Sequence, residues 1–342
     1  MRSDSLSFNK QFSHIYIEED AAGFPLTERI CSFFPHAEKI FVQSYKEIFS
    51  RPRQSYSAQV NSRSLILAVK KDGLIYEGSV MCHDFDQRWF YYCTNVLNCI
   101  YDCEYCWLKG MYGTANLVIF VNTDDFLKET ERLLKEHPVY LCLSYENDLV
   151  PLENMTGLLK EWAEFTVSHP NLLTEIRTKC ADREIWKRMP VSDRIIPAFT
   201  LSPDTVISAY EHGTTDLKKR IEAVNTAAEQ GFHPRLCFDP VFAVKDWQKL
   251  YTEMIKEVMT NTGPEIIRDV SIGTFRLSRD YMKKMRRAFP FSACVQYPYT
   301  LKNGYYGYDD ELRKTITEFM ENELMKYISK DKIYTLEDDG ND

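Results

Sequence analysis

Three cysteines within eight residues, Cys99-Ile-Tyr-Asp-Cys103-Glu-Tyr-Cys106, constrain this chain more than any other stretch of it. Thiols spaced Cys-x3-Cys-x2-Cys on one compact loop suit three irons of a 4Fe–4S cube, because cysteine thiolate is the usual ligand of such clusters. The fourth iron is then left without a protein ligand and is open to a small molecule. That separates a catalytic cluster from an electron carrier, which uses four cysteines. A zinc site and buried structural thiols are the competing readings. Structural zinc normally takes paired Cys-x2–4-Cys or Cys/His elements with four ligands, and the sequence has no second pair and no His-x3–5-His.

At 342 residues the chain has room for one barrel-like α/β domain or two smaller ones. Hydrophobic residues make up 44% and aromatic residues 13%, enough to bury a sizeable core. No apolar run approaches the ~20 residues that a membrane span needs. The N-terminal Met-Arg-Ser-Asp-Ser-Leu-Ser-Phe lacks an apolar secretory segment, so the cytoplasm is the default. Ten cysteines would suggest a disulfide framework only in a short secreted chain. Cys31, Cys82, Cys142, Cys180, Cys237 and Cys294 are scattered, mostly in apolar stretches, and read as ordinary buried thiols. Cys93, six residues before the motif, is either a spare ligand or an alternating strand residue.

The net charge of −8 argues against a broadly basic nucleic-acid-binding surface, though not against a local one. Arg51, Arg53 and Arg63 flank an early loop, and Lys283, Lys284, Arg286 and Arg287 form a dense cluster. Such clusters are either solvated helix faces or phosphate-contacting rims.

Residues 1–60 read as a small α/β cap: Ile15-Tyr-Ile, a helical stretch near Pro25–Phe34, then β-like Lys39-Ile-Phe-Val-Gln. The polar, proline-punctuated Arg51-Pro-Arg-Gln-Ser-Tyr-Ser is the candidate linker. Ser64–Val69 and Trp89–Cys93 read as strands leading into the cysteine loop. Behind it, strands are expected at Leu117–Val121, Val139–Tyr145, Leu173–Thr178, Ile195–Leu201, Arg235–Phe242 and Val270–Phe275. Helices are expected at Asp124–Glu136, Leu152–Ser168, Asp216–Gln230, Trp247–Thr260 and Arg279–Ala288, with a short one between Thr178 and Ile195. Alternating strands and helices imply βαβ units and a parallel sheet. Six such units fit a partial (β/α)6 barrel spanning 61–334, with ligands at the C-terminal strand ends. Residues 335–342 form an acidic tail of disordered composition.

The cysteine spacing, with an aromatic between the last two thiols, resembles the radical S-adenosylmethionine (SAM) signature. In that superfamily the open iron is chelated by the methionine moiety of SAM. An electron from the cluster then releases a 5′-deoxyadenosyl radical. A closer resemblance lies in Gln59-Val-Asn-Ser-Arg-Ser-Leu-Ile-Leu-Ala-Val, Asp148-Leu-Val, Thr178-Lys179, Glu211-His-Gly-Thr-Thr, Asp239-Pro240 and Gly304-Tyr-Tyr-Gly. These are similar to the spore photoproduct lyase family, from about Ile15 to Tyr334. Members repair a thymine dimer, the spore photoproduct, in the DNA of germinating endospores. The adenosyl radical abstracts a hydrogen, the methylene bridge breaks and a hydrogen atom is returned.

The resemblance implies a 4Fe–4S cluster on Cys99, Cys103 and Cys106, and SAM as second cofactor. Lys179 matches the lysine near the methionine carboxylate, a group that suits a cation. Tyr105 matches the aromatic against the adenine. Thr200 and Asn147 replace serines of the cofactor region, and Asp239 joins the same set. Three positions depart from the family. Its hydrogen-donating cysteine falls on Tyr145, the tyrosine after the third cysteine is Trp107, and the lesion-contacting arginine falls on Tyr305. Cys142, three residues from Tyr145, is expected on the opposite strand face and about 10 Å away. Lys283 and Lys284 are the candidate phosphate contacts. The implied partners are lesion-bearing DNA and a flavodoxin- or ferredoxin-type reductant, with the chain a monomer or weak dimer. The leading expectation is therefore a radical SAM lyase acting on DNA, with Tyr145 or another group as donor. Its rivals are a paralogue using the same radical on another substrate, and an iron–sulfur redox or sensor protein.

Overall fold

Two sheets meet immediately before the cysteine loop. The computed structural model describes residues 12–336. In the larger sheet six parallel strands follow one another in space as in sequence: Phe90–Cys93, Val139–Cys142, Leu172–Thr178, Ile195–Thr200, Arg235–Val241 and Asp269–Thr274. Helical crossovers between successive parallel strands produce this order. Ile333–Thr335 extends the far edge in parallel, and Ile75–Glu77 borders the near edge antiparallel.

This is the partial sixfold barrel, reached with a different set of strands than the periodicity suggested. Leu117–Phe120, expected as its first strand behind the loop, instead pairs with Leu65–Ala68 in the second sheet. That sheet runs Glu38–Val42, His14–Glu18, Leu65–Ala68, Leu117–Phe120, Val96–Leu97. Every residue of Leu65–Ala68 and of Leu117–Phe120 is buried. An apolar run announces a strand covered on both faces but does not say which sheet covers it.

The second sheet therefore takes residues from both sides of position 60. The stretch read as a linker leads into the short helix Tyr56–Gln59, capped by Ser55, with Tyr56 buried. The helix expected over Leu152–Ser168 breaks at Gly157, where φ is 74°. It becomes Glu153–Thr156 and Leu158–Ser168. The Glu153 carboxylate accepts from the amides of Leu159 (2.7 Å) and Lys160 (3.1 Å), satisfying open N–H groups of the second piece. Of the acidic tail, Thr335, which ends a strand, and Leu336 are described, and the rest from Glu337 onward lies outside the described residues. Among the described residues no helix is long and apolar enough to cross a membrane.

Arg235 closes the floor of the barrel. Its Nη1 donates to the Tyr140 hydroxyl (2.7 Å) and Glu175 Oε2 (2.6 Å), and its Nη2 to Asp269 Oδ2 (2.8 Å). Those partners come from strands that are not all its neighbours, so the contacts cross the interior. Strand alternation then places Cys142, Arg177 and Cys237 one layer higher, and Lys179 and Asp239 above them at the C-terminal ends.

Candidate active site

The cysteine loop leaves the place where the two sheets join. Phe90–Cys93 belongs to the barrel and Val96–Leu97 to the other sheet. Between them Asn95 accepts the Cys93 thiol (2.7 Å) and the Trp162 indole N–H (2.8 Å) on one oxygen. Its carbonyl accepts from the Phe120 amide at 2.9 Å. Cys93 is thus a buried strand residue committed to Asn95, not a spare ligand.

Asn98 opens the loop in a left-handed conformation, φ 75°, which Asn tolerates better than most residues. Its Nδ2 donates to the carbonyls of Thr114 (2.8 Å) and Asn116 (3.1 Å). Arg63, only 5% exposed, donates to the carbonyls of Cys99 (2.6 Å) and Tyr101 (3.3 Å). It grips the loop and belongs to no phosphate rim. From the other side Asp102–Cys103 pairs antiparallel with Glu211–His212, so the Glu211-His-Gly-Thr-Thr turn becomes a clamp on the middle cysteine. Tyr105 donates to Glu211 Oε1 at 2.5 Å, and Glu211 pairs with Arg220 at 2.6 Å, with both side chains of the pair fully buried. The sequence offered Arg63 only as a solvated or phosphate-rim cation and gave the Glu211–Arg220 pair no role, although both lie in or beside the quoted motifs.

The residues fit a cluster. All three thiols are free, and they lie near enough that Cys106 raises the pKa of Cys99, and both raise that of Cys103. Burial is the larger cause, pushing the Cys99 thiol up to about 12 and Cys103 well above its ordinary value. Iron must therefore displace protons as it binds. Among the described residues no three Cys, His, Asp or Glu groups gather as a single-ion site.

The positions carried over for SAM stand at the ends of successive strands. Asp148 accepts from the Thr178 hydroxyl (2.8 and 3.0 Å) and the Lys179 amide (2.8 Å), locking the loop that follows Val139–Cys142 onto the next strand. Asn147 is buried, donates to the Val96 carbonyl at 3.0 Å and leaves its Oδ1 without a partner. Such an orphaned acceptor fits a polar ligand. The Lys179 ammonium lies 5.6 Å from the centre of the Tyr105 ring. Burial pulls its pKa down, but Glu211 and Cys103 outweigh that and keep it charged. Thr200 is buried, and its carbonyl accepts from Arg220 at 2.9 Å. Asp239 is engaged differently: Arg276 holds it bidentately at 2.9 and 3.0 Å. The pairing fixes Arg276, which in turn donates to the Met81 carbonyl at 2.8 Å.

That last contact anchors the residue before Cys82, to which the sequence had given no role in the site. Cys82, read as an ordinary buried thiol, is only partly buried and lies 3.2 Å from the Tyr145 hydroxyl. Next to it His83 is held to the Ile272 carbonyl at 3.1 Å, across to the last barrel strand. Cys142 does not face away from this pair. It points into the interior, 3.7 Å from Glu175 Oε1, and its thiol raises the pKa of Tyr145. The strand ends at Cys142, so alternation no longer governs Tyr145.

Trp107 stands edge-on to Tyr145 at 5.8 Å and stacks with Tyr281 at 6.4 Å. Tyr281 is half-buried on helix Arg279–Ala288, whose close approach is permitted by Gly110: a Cβ there would clash with the Tyr281 Cβ. Lys283 and Lys284 are exposed on this helix. Lys283, Arg286, Arg287 and Tyr306 line a groove of about 530 Å³. Tyr305 begins the second strand of the hairpin Thr300–Gly307, which turns at Asn303-Gly304 with φ of 48° and 83°.

Known proteins match this chain along its length. The family profile described as Spore photoproduct lyase covers residues 11–336. Spore photoproduct lyase of Clostridium acetobutylicum is 28% identical over 246 residues, 69% of this chain and 73% of the relative. That of Bacillus subtilis is 23% identical over 266 residues, 75% of each. Among solved structures, a spore photoproduct lyase double mutant with bound AdoMet and dinucleoside spore photoproduct superposes with a TM-score of 0.81 at 18% identity, covering 96% of this chain and 99% of the other. A point mutant of the enzyme gives 0.82 at the same identity and coverage. With the profile spanning nearly the whole chain, from the N-terminal sheet to the last barrel strand, this protein belongs to the spore photoproduct lyase family of radical SAM lyases.

Proposed function

We propose that this chain repairs the spore photoproduct in DNA, and that Cys82 donates the hydrogen atom which the family takes from a cysteine at the position of Tyr145. The contact of 3.2 Å between the Cys82 sulfur and the Tyr145 hydroxyl carries this reading. A thiol has been removed from one side of the site, and another reaches the same place from a loop 63 residues earlier. A solved relative holds AdoMet and the dinucleoside lesion together, which supports the substrate.

The cluster, when bound, supplies the electron that cleaves SAM to the 5′-deoxyadenosyl radical. Cys99, Cys103 and Cys106 would hold three of its irons. Lys179 offers a cation to the methionine carboxylate, Asn147 an unpaired acceptor, and Tyr105 a ring fixed by Glu211. Thr200 borders the same strand end. After the methylene bridge breaks, the Cys82 S–H bond breaks, a C–H bond forms on the product and the sulfur keeps an unpaired electron. The Tyr145 hydroxyl is placed to hand its hydrogen to that sulfur. In duplex DNA the lesion must first leave the stack. Lys283 and Lys284 on their exposed helix, with Tyr305 on the hairpin, are the proposed contacts to the strand.

Anaerobic incubation of the reduced protein with the lesion dinucleotide tests the reading. Thymine monomers are the expected product. Cys82→Ala should still cleave SAM yet divert the product radical, while Tyr145→Phe should leave the first product normal. Wild-type product from Cys82→Ala would remove Cys82 from the reaction, and no thymine at any dose would point to the rival substrate.

A further inference from the structure

We infer that Tyr92 and Tyr76 form an exit through which an unpaired electron stranded on the Cys82–Tyr145 pair reaches the protein surface. The inference rests on the reading of Cys82 as donor. Tyr145 stacks on Tyr92 with ring centres 4.1 Å apart and planes 19° from parallel. Tyr92 stacks on Tyr76 at 5.4 Å and 22°. Tyr76 is 41% exposed, so three phenols lead from the thiol to solvent without a gap. Tyr76 and Tyr92 are direct cross-strand partners, which fixes their rings on one sheet face.

Packing alone would ask only for rings. The branch through Trp107 to Tyr281 is looser, at 5.8 and 6.4 Å, and its first member has no phenol.

The chemistry is a series of hydrogen-atom exchanges. The Cys82 thiyl takes the hydrogen of the Tyr145 O–H, re-forming S–H and leaving a tyrosyl radical. Tyr145 recovers its electron and proton from Tyr92, and Tyr92 from Tyr76. Phenol O–H and thiol S–H bonds are close in strength, so each exchange is nearly balanced. Because the proton leaves with the electron, no ring becomes a cation. The Lys70 ammonium, 5.5 Å from the Tyr76 ring centre, therefore does not oppose the last step, and no buried charge is created. At the surface a small thiol in the medium returns a hydrogen atom to Tyr76. Two thiyl radicals so formed couple to one disulfide, so two stranded radicals are quenched per disulfide. The exit matters when product leaves before its radical is settled.

Tyr92→Phe and Tyr76→Phe keep the stack and remove only the O–H. Each variant, with wild type and Cys82→Ala, is turned over anaerobically on the lesion dinucleotide and frozen for electron paramagnetic resonance, with and without added small thiol. In wild type a neutral tyrosyl signal should decay faster when thiol is present. Tyr76→Phe should prolong it several-fold, and Tyr92→Phe should confine it to Tyr145 and make it insensitive to thiol. Both should lose turnovers before inactivation while forming the first product normally. Wild-type decay and turnover number in both variants overturn the exit, as does the absence of any tyrosyl signal. If Cys82→Ala yields wild-type product, the donor reading falls and the exit with it. If that variant diverts the product while the two tyrosine variants match wild type, only the exit falls.

Discussion

Tyr105 donates a 2.5 Å hydrogen bond to one oxygen of Glu211, and Arg220 holds the other at 2.6 Å. One buried carboxylate thereby sets the aromatic between the second and third cysteines, while its own backbone pairs with Cys103. Removing one partner of a buried ion pair leaves the other charge uncompensated, at about 3–5 kcal/mol. Glu211→Ala should therefore lower the unfolding free energy by roughly that amount and reduce the iron retained after reconstitution. Denaturant titration and iron analysis of the same sample check this. Full iron retention in a destabilised variant would confine Glu211 to the fold.

The cluster itself gives the second expectation. Anaerobic reconstitution should yield a brown, oxygen-sensitive protein with about four irons. Cys99→Ala, Cys103→Ala and Cys106→Ala should each abolish it, whereas Cys93→Ala, whose thiol is bonded to Asn95, should not. A fully loaded cluster in Cys103→Ala would refute the assignment.

Acid should loosen the barrel floor. Burial alone would raise the Glu175 pKa, but Arg177 and Arg235 outweigh it and bring the carboxyl down to about 2, from an ordinary 4.5. A depressed carboxylate contributes stability above its unfolded pKa and loses it as pH falls through the folded one. The window is thus pH 4.5 down to about 2, with a contribution on the order of 3 kcal/mol. Glu175→Gln should be less stable at neutral pH and show a flatter stability profile across that window. An equally steep profile in the variant would assign the acid response elsewhere.

Binding to duplex DNA should weaken steeply with salt, because counterions are released where cations meet phosphates. Each phosphate contact adds roughly 0.9 to the slope of log affinity against log salt. Lys283→Ala with Lys284→Ala should lower that slope by up to about twice this amount. An unchanged slope returns the pair to a solvated helix face.

The sequence by itself named the three candidate cluster thiols, since Cys-x3-Cys-x2-Cys is a local spacing that needs no fold to be read. It also determined most strands and helices, and the helix Arg279–Ala288 to the residue. Lys179 and Thr200 were placed at strand ends by the same periodicity. What periodicity reports is burial along a segment's own axis. It does not report which sheet buries Leu117–Phe120, and that strand joined the N-terminal sheet. Nor does it carry side chains across the barrel. Arg63 reached the Cys99 carbonyl from 36 residues away, and Cys82 met Tyr145 from 63 away. These pairings depend on the closure of the barrel and the path of a loop through its interior, so only the tertiary structure decided them.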